Sequence, residues 1–253
     1  MRVIVTRPAA QAAEWVARLR ARGVDAVALP LMAIEPAADP APVAAAWARL
    51  SAHRLVIFVS PNAAERFFAQ RPSEAAWPVA SWAGSPGPGT THALIGLGVP
   101  EARIIEPATD AAQFDSESLW ARLKKYDWQG AAVLIVRGEG GGRDWLAATL
   151  REHGAKVEHL AAYRRAPPAL SAADHAALAA AQAEPAAHLW FFSSSEAIDN
   201  LAHAAPAAQW SLARAIATHP RIAERASGLG FASVVEARPA LDAVVACIQS
   251  FRP

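Results

Sequence analysis

Cys247 is the only cysteine in the chain, so no disulfide can form within it and a reducing compartment is expected. It sits in the apolar pattern of Leu241, Val244, Val245 and Ile248, which reads as a small buried hydrophobe and not a nucleophile. Runs of like charge are missing too. The 24 Lys and Arg stand against 23 Asp and Glu, a formal charge of +1, which argues against nucleic-acid binding through a broad basic surface. A locally positive cleft for an anionic small molecule remains compatible with that balance. No apolar run approaches the roughly 20 residues that span a bilayer. The chain opens on a strand pattern with no basic-then-apolar leader, so a cytoplasmic protein away from membranes is expected. His, Cys and carboxylates nowhere cluster at metal-ligand spacing, and no metal is expected. A Ser-His-Asp order, a nucleophile elbow, a Gly-Lys-Ser/Thr phosphate loop and a dinucleotide fingerprint are also missing.

Apolar residues, by contrast, make up 53% of the chain, and charged ones 19%, a globular composition. Nearly half of the apolar share is Ala, which favours helix but adds little core volume, so the nine Trp and eight Phe must supply much of the packing. The 253 residues suffice for two domains with a core each.

The chain also repeats itself. Val3-Ile4-Val5-Thr6-Arg7-Pro8 returns as Val133-Leu134-Ile135-Val136-Arg137-Gly138, each followed by a helical pattern, a Gly and a second apolar run. At nearly the same interval Ile57-Phe58-Val59-Ser60-Pro61-Asn62-Ala63 returns as 190–197, and 96–99 returns as 228–231. Three matched segments in one order imply one α/β unit used twice, with the chemistry between the copies.

Residues 2–6 form a short buried-strand pattern, 11–22 a helix with Ala12, Trp15, Val16 and Leu19 on one face and Gly23 as its cap, and 24–31 a second strand: a βαβ unit. Residues 35–42, with three prolines, read as a linker, and Pro167-Pro168 marks a second one. The strand 55–59 delivers Ser60-Pro61-Asn62 to a helix start, with Ser60 as cap and Pro61 in the first turn, where free N–H groups attract an anion. The passage 85–91 leads from a short strand into a helix at 92–97; its glycines allow close approach to a ligand, or make an ordinary tight turn. In the loop 137–143, Arg137 and Arg143 flank the bare amides of Gly138, Gly140, Gly141 and Gly142 at a helix start. As a turn it would be solvated, its Arg paired with Glu139 and Asp144. Arg7 at the matching strand end tips the reading toward an anion site.

Strands alternating with helices give doubly wound parallel sheets, whose ligands sit beyond the carboxyl ends of the strands. Those ends carry Thr6, Arg7, Ser60, Asn62, Thr90, Arg137, Ser193, Ser194 and Thr218. Such groups hold anions well and move protons poorly, which points to catalysis by binding and shaping a substrate. His219 before Pro220 reads as a turn residue, and Tyr163, between a strand and a linker, either packs or works in the site.

Together, Val5-Thr6-Arg7-Pro8 with Gln11, Phe58-Val59-Ser60-Pro61-Asn62-Ala63, the Gly-Thr helix start, Arg137-Gly138-Glu139-Gly140-Gly141 and the strand ending at Tyr163 resemble the uroporphyrinogen-III synthase family over nearly the whole chain. The resemblance implies two flavodoxin-like domains with parallel sheets joined by a two-segment linker: 1–35 with 167–253 as a discontinuous domain, 38–164 inserted, and the active-site cleft between them. It implies a cofactor-free lyase that closes hydroxymethylbilane, a linear tetrapyrrole polycarboxylate, to uroporphyrinogen III. Water is lost and the terminal pyrrole inverts through a spiro intermediate. On this likeness Tyr163 assists the departing hydroxyl. Thr6, Arg7, Ser60, Asn62, Thr90, Arg137, Gly138, Ser193 and Ser194 bind the substrate, although the arginines could instead only pair with neighbouring acids. The family's Gly-x-x-Thr-Ala turn stands here as Gly87-Pro88-Gly89-Thr90-Thr91, leaving open which threonine faces the ligand. A monomer is expected, with transient contact to neighbouring enzymes of the pathway. The rival reading is a non-catalytic two-lobed binding protein for an anionic small molecule; a nucleotide-dependent transferase lacks a phosphate or ribose motif.

Overall fold

The computed structural model describes residues 1–141 and 144–251. In chain order its elements are β1 (Arg2–Val5), α1 (Ala9–Arg20), β2 (Ala26–Ala28), β3 (Ala33–Pro36), α2 (Ala41–Ala48), β4 (Leu55–Phe58), α3 (Pro61–Phe68), β5 (Trp82–Gly84) and α4 (Pro88–Gly96), then β6 (Ile104–Ile105), α5 (Ser116–Leu123), β7 (Ala132–Gly138), α6 (Trp145–Glu152) and β8 (Lys156–Ala166). After these come α7 (Ala172–Ala183), β9 (His188–Phe192), α8 (Ser195–Ala204), β10 (Arg214–Ala217), α9 (Pro220–Leu229), β11 (Ser233–Glu236) and α10 (Leu241–Ser250). The chain separates into two compact units, Met1–Ala33 with Ala166–Pro253, and Ile34–Arg165.

The first unit holds a five-stranded sheet in the order β11-β10-β9-β1-β2, parallel throughout. Alternation along β1 sends Ile4 to one face and Val3 and Val5 to the other. Trp15, Val16 and Leu19 of α1 and Val244, Val245 and Ile248 of α10 cover the Val3 face. Buried residues of α7, α8 and α9 cover the Ile4 face, around a nest in which Trp210 stacks on Phe231 with centroids 5.3 Å apart. Cys247 packs half-buried against the α10 side, and burial pushes its thiol pKa up, as suits an inert hydrophobe.

The second unit has the order β3-β8-β7-β4-β5-β6. Without the edge strand β3, this is the first unit's order element for element: β6, β5, β4, β7 and β8 stand for β11, β10, β9, β1 and β2. The register agrees as well, since Ile57 of β4 pairs with Ile135 of β7 as Phe191 of β9 pairs with Val5 of β1. Helices correspond too, with α2, α3 and α4 on one face and α5 and α6 on the other. Trp47, Phe58, Phe67, Phe68 and Trp77 fill the first of these faces, so aromatics supply bulk in both cores.

The sequence repeat, however, is not the compact unit. Its first copy places β1-α1-β2 in one unit and β4-α3-β5-α4-β6 in the other, and its second copy does the reverse. Each unit is therefore assembled from complementary portions of both copies.

Three local expectations are corrected. The stretch read as a linker at 35–42 contains the end of β3 and the start of α2; a proline is tolerated at Pro36 because β3 lies on the sheet edge. The strand expected at 24–31 is only β2, three residues long. The helix expected at 92–97 starts at Pro88, which puts Thr90 and Thr91 inside its first turn.

Candidate active site

In each unit the strand order reverses direction beside one strand pair, β1 and β9 in the first and β7 and β4 in the second. At such a switch point the loops leaving the two strands diverge and open a crevice at the carboxyl edge. Thr6, Arg7, Ser193 and Ser194 follow β1 and β9. Ser60 and Asn62 follow β4, and Arg137 and Gly138 end β7. Thr90 lies one strand farther out, in α4.

In the first unit the Thr6 hydroxyl donates to the Phe191 carbonyl at 2.8 Å and the residue is 1% exposed, so the side chain knits the strand pair together. Ser194 stands at the cap position of α8 without making a side-chain cap hydrogen bond, at the positive end of that helix. Arg7 folds back against the core. Its guanidinium carbon lies 4.9 Å from the Trp15 ring centroid and 5.7 Å from that of Phe191, Nη1 reaches Gln11 at 3.5 Å, and Nε is buried without a hydrogen-bond partner. Burial, opposed by Glu14 and reinforced by Arg18, lowers its pKa to about 10. Thr218 donates its amide to the Phe192 carbonyl, and His219 caps α9 by accepting from the Arg221 amide at 3.2 Å, a local turn role.

In the second unit Ser60 caps α3 as its Ser-Pro order suggests, accepting from the Ala63 amide at 3.2 Å. Tyr163 lies within β8, three residues before its end, and not at a seam. A bulge between Arg137 and Gly138 sets Gly138 opposite Tyr163, so Ala162 and Tyr163, although consecutive, both join the α3-side core. The Tyr163 ring crosses β7 at Gly138, where a Cβ would meet ring atoms at 2.9 Å; only a bare backbone lets the ring pass. It reaches β4's end, with the phenol oxygen 3.3 Å from Ser60 Oγ. Tyr163 is 1% exposed, and a buried phenol proton without an acceptor costs about 1–3 kcal/mol. Either hydroxyl can donate in this contact, and only with the phenol as donor does the buried proton have Ser60 as its acceptor.

Arg137 sits above an acid, its Nη1 3.7 Å from Asp144 Oδ1. The same carboxylate meets Arg151 at 3.3 Å and His159 Nε2 at 2.9 Å. Burial first, and Arg137 next, hold the His159 imidazole pKa below its usual value, with Asp144 opposing. The sequence named Asp144 as an acid for the loop arginines, and Arg137 does pair with it; His159 was not singled out, and its signal was a histidine in the strand pattern of residues 157–162. The Thr91 hydroxyl donates to Glu106 at 2.6 Å and lies 2.9 Å from Ser85 Oγ, while Thr90 is 3% exposed. Gly142 and Arg143, the far end of the proposed anion loop, lie outside the described residues. Among the described residues no group of three or more His, Cys, Asp or Glu could hold a metal ion, and no helix is long and apolar enough to cross a membrane.

Residues 13–246 match the family described as uroporphyrinogen-III synthase HemD. Among solved structures, a mutant uroporphyrinogen III synthase from the extremely thermophilic bacterium Thermus thermophilus is similar with a TM-score of 0.57 and 17% identity, over 99% of this chain and 98% of that one. Uroporphyrinogen-III synthetase from Helicobacter pylori matches with a TM-score of 0.54 and 14% identity over 100% of both. These two likenesses establish the fold, and nothing among them favours a non-catalytic binding protein. The family match runs through both units, and the chain belongs to the uroporphyrinogen-III synthase family.

Proposed function

We propose that this chain carries out the family's reaction, closing hydroxymethylbilane to uroporphyrinogen III, with the two carboxyl edges described above as its working surfaces. The supporting observation is their equivalence: each switch point has an arginine at the end of one strand and a helix start with a serine at its cap position after the other. Such groups suit a polycarboxylate, because guanidinium and helix N-terminal amides give charge-assisted hydrogen bonds to carboxylate oxygens. Ser193, Ser194 and Arg7 would take carboxylates at one edge, where Thr6 braces the strand pair through the Phe191 carbonyl; Asn62, Thr90, Arg137 and Gly138 would do so at the other, and Tyr163 assists departure of the hydroxyl. Once that hydroxyl leaves, the azafulvenium-like product is reactive by itself. The protein's task is then to impose the conformation in which the terminal pyrrole attacks through its substituted carbon.

The direct test is incubation with hydroxymethylbilane, oxidation, and separation of the uroporphyrin isomers. Type III is expected; type I alone, the spontaneous product, would refute the reading. The same reading has the chain acting as a monomer in the cytoplasm, with transient contact to the pathway's neighbouring enzymes. Sedimentation at working concentration checks the first of these, and a stable dimer would refute it.

A further inference from the structure

We infer that Ser60, and not Tyr163, is the residue that touches the departing hydroxyl, with Tyr163 acting through it as a positioning residue and proton reserve. The inference deepens the proposed reaction and rests on it. Tyr163 is 1% exposed, so its phenol is screened from a substrate at the carboxyl edge, whereas Ser60 stands partly exposed at the end of β4. A serine oxygen has two lone pairs and one proton. One lone pair accepts from the Ala63 amide, and in the inferred relay the other accepts from the Tyr163 phenol 3.3 Å away, the direction that gives the buried phenol proton an acceptor. Both acceptor positions are filled from within the unit, so the Ser60 proton is left to point outward, toward an oxygen arriving from the substrate.

The positive end of α3 and the phenol donor both stabilise negative charge on Ser60 Oγ as that proton leaves. In the step, the carbon–oxygen bond of the terminal hydroxymethyl group breaks and its electron pair goes to oxygen. The Ser60 proton joins that oxygen to make water, and Ser60 takes the phenol proton. The proton shed when the attacked pyrrole regains aromaticity restores Tyr163, so the cycle balances with no other reactant. Gly138 belongs to this device, because its missing Cβ lets the ring reach Ser60.

The test is steady-state turnover of hydroxymethylbilane by Ser60→Gly, Tyr163→Phe, the double variant, Ser60→Thr and Gly138→Ala, each checked for folding by a thermal melt. Glycine at the cap position keeps the helix start nearly intact while removing the hydroxyl. Ser60→Gly and Tyr163→Phe are expected to lower kcat 10- to 100-fold with KM within about twofold, and the double variant to be no slower than the slower single one. Ser60→Thr should recover most of the rate, and Gly138→Ala should resemble Tyr163→Phe in kcat. If the two single losses multiply in the double variant, or Ser60→Gly keeps full kcat while Tyr163→Phe loses it, the relay is wrong and Tyr163 meets the substrate itself. If Tyr163→Phe keeps full kcat and the type III product, the assignment of Tyr163 fails and the relay with it, although the reaction stands.

Discussion

Arg7 lies over the face of Trp15, 4.9 Å from guanidinium carbon to ring centroid, with its Nε buried and unpartnered. A cation placed this way is held against its own preference for water. The fall of its pKa from the ordinary guanidinium value to about 10 corresponds to about 3 kcal/mol against the charged form, offset by about 1–2 kcal/mol of cation–π attraction. The charge is present at neutral pH, so the cost applies at every pH below about 10 and fades above it as the folded form loses its proton. Arg7→Met should therefore raise the unfolding free energy by about 1–2 kcal/mol in urea titrations at pH 7. A lowered midpoint would mean that the guanidinium is a net structural asset.

If Arg7 is kept for substrate, its removal must show in binding. Arg7→Gln combined with Arg137→Gln is expected to raise KM for hydroxymethylbilane about 10- to 100-fold, the loss of two charge-assisted contacts. An unchanged KM would assign both arginines to structure, Arg137 to Asp144 and Arg7 to Trp15.

His159 gives the second unit a pH dependence of known sign. Its folded pKa is held below the ordinary value of 6.5, so as pH falls past 6.5 the unfolded chain takes up the proton first. Stability is full above that value and declines below it, down to the folded pKa. Urea titrations between pH 8 and 5 should show this decline in the parent protein and a shallower one in His159→Gln. Parallel curves would refute the assignment.

Gly154 follows α6 with φ at +86°, and a Cβ there would lie 2.2 Å from Gln129 Oε1 and 3.1 Å from Gln129 Cα. The amide could swing aside, but the backbone could not. Gly154→Ala should cost about 1–3 kcal/mol of stability, and adding Gln129→Ala should restore only part of it. Complete restoration would show that the backbone conformation is not the constraint.

Strands with continuous apolar runs, such as β4 and β9, and helices with a clear 3.6-residue face, such as α1, were legible in the sequence, as was the Ser60 cap. The Ala-rich α7 was not, because a helix with Leu178 and Ala181 as its buried contacts shows almost no apolar contrast; the one sign was Ser171 three residues before Asp174, which forms a capping box. β3 was hidden by prolines that an edge strand accommodates. The repeat was plain, but its division between the units was not, since similarity follows order along the chain while pairing follows register. Strand ends could be listed as carrying polar groups, yet the inward turn of Thr6 and Arg7 depends on a carbonyl and two rings supplied by other segments. The passage of Tyr163 over Gly138 depends on a bulge that no local pattern announces.

The crossing of the two repeat copies has a consequence for biosynthesis. The unit spanning Ile34–Arg165 is continuous and can close as soon as β8 has emerged from the ribosome, whereas β1, already made, must wait for β9. Until then Val3, Ile4 and Val5, all fully covered in the finished protein, have no neighbour on that side. Slowed translation anywhere before β9 would lengthen that exposure, so the vulnerable interval for aggregation spans the synthesis of the whole inserted unit.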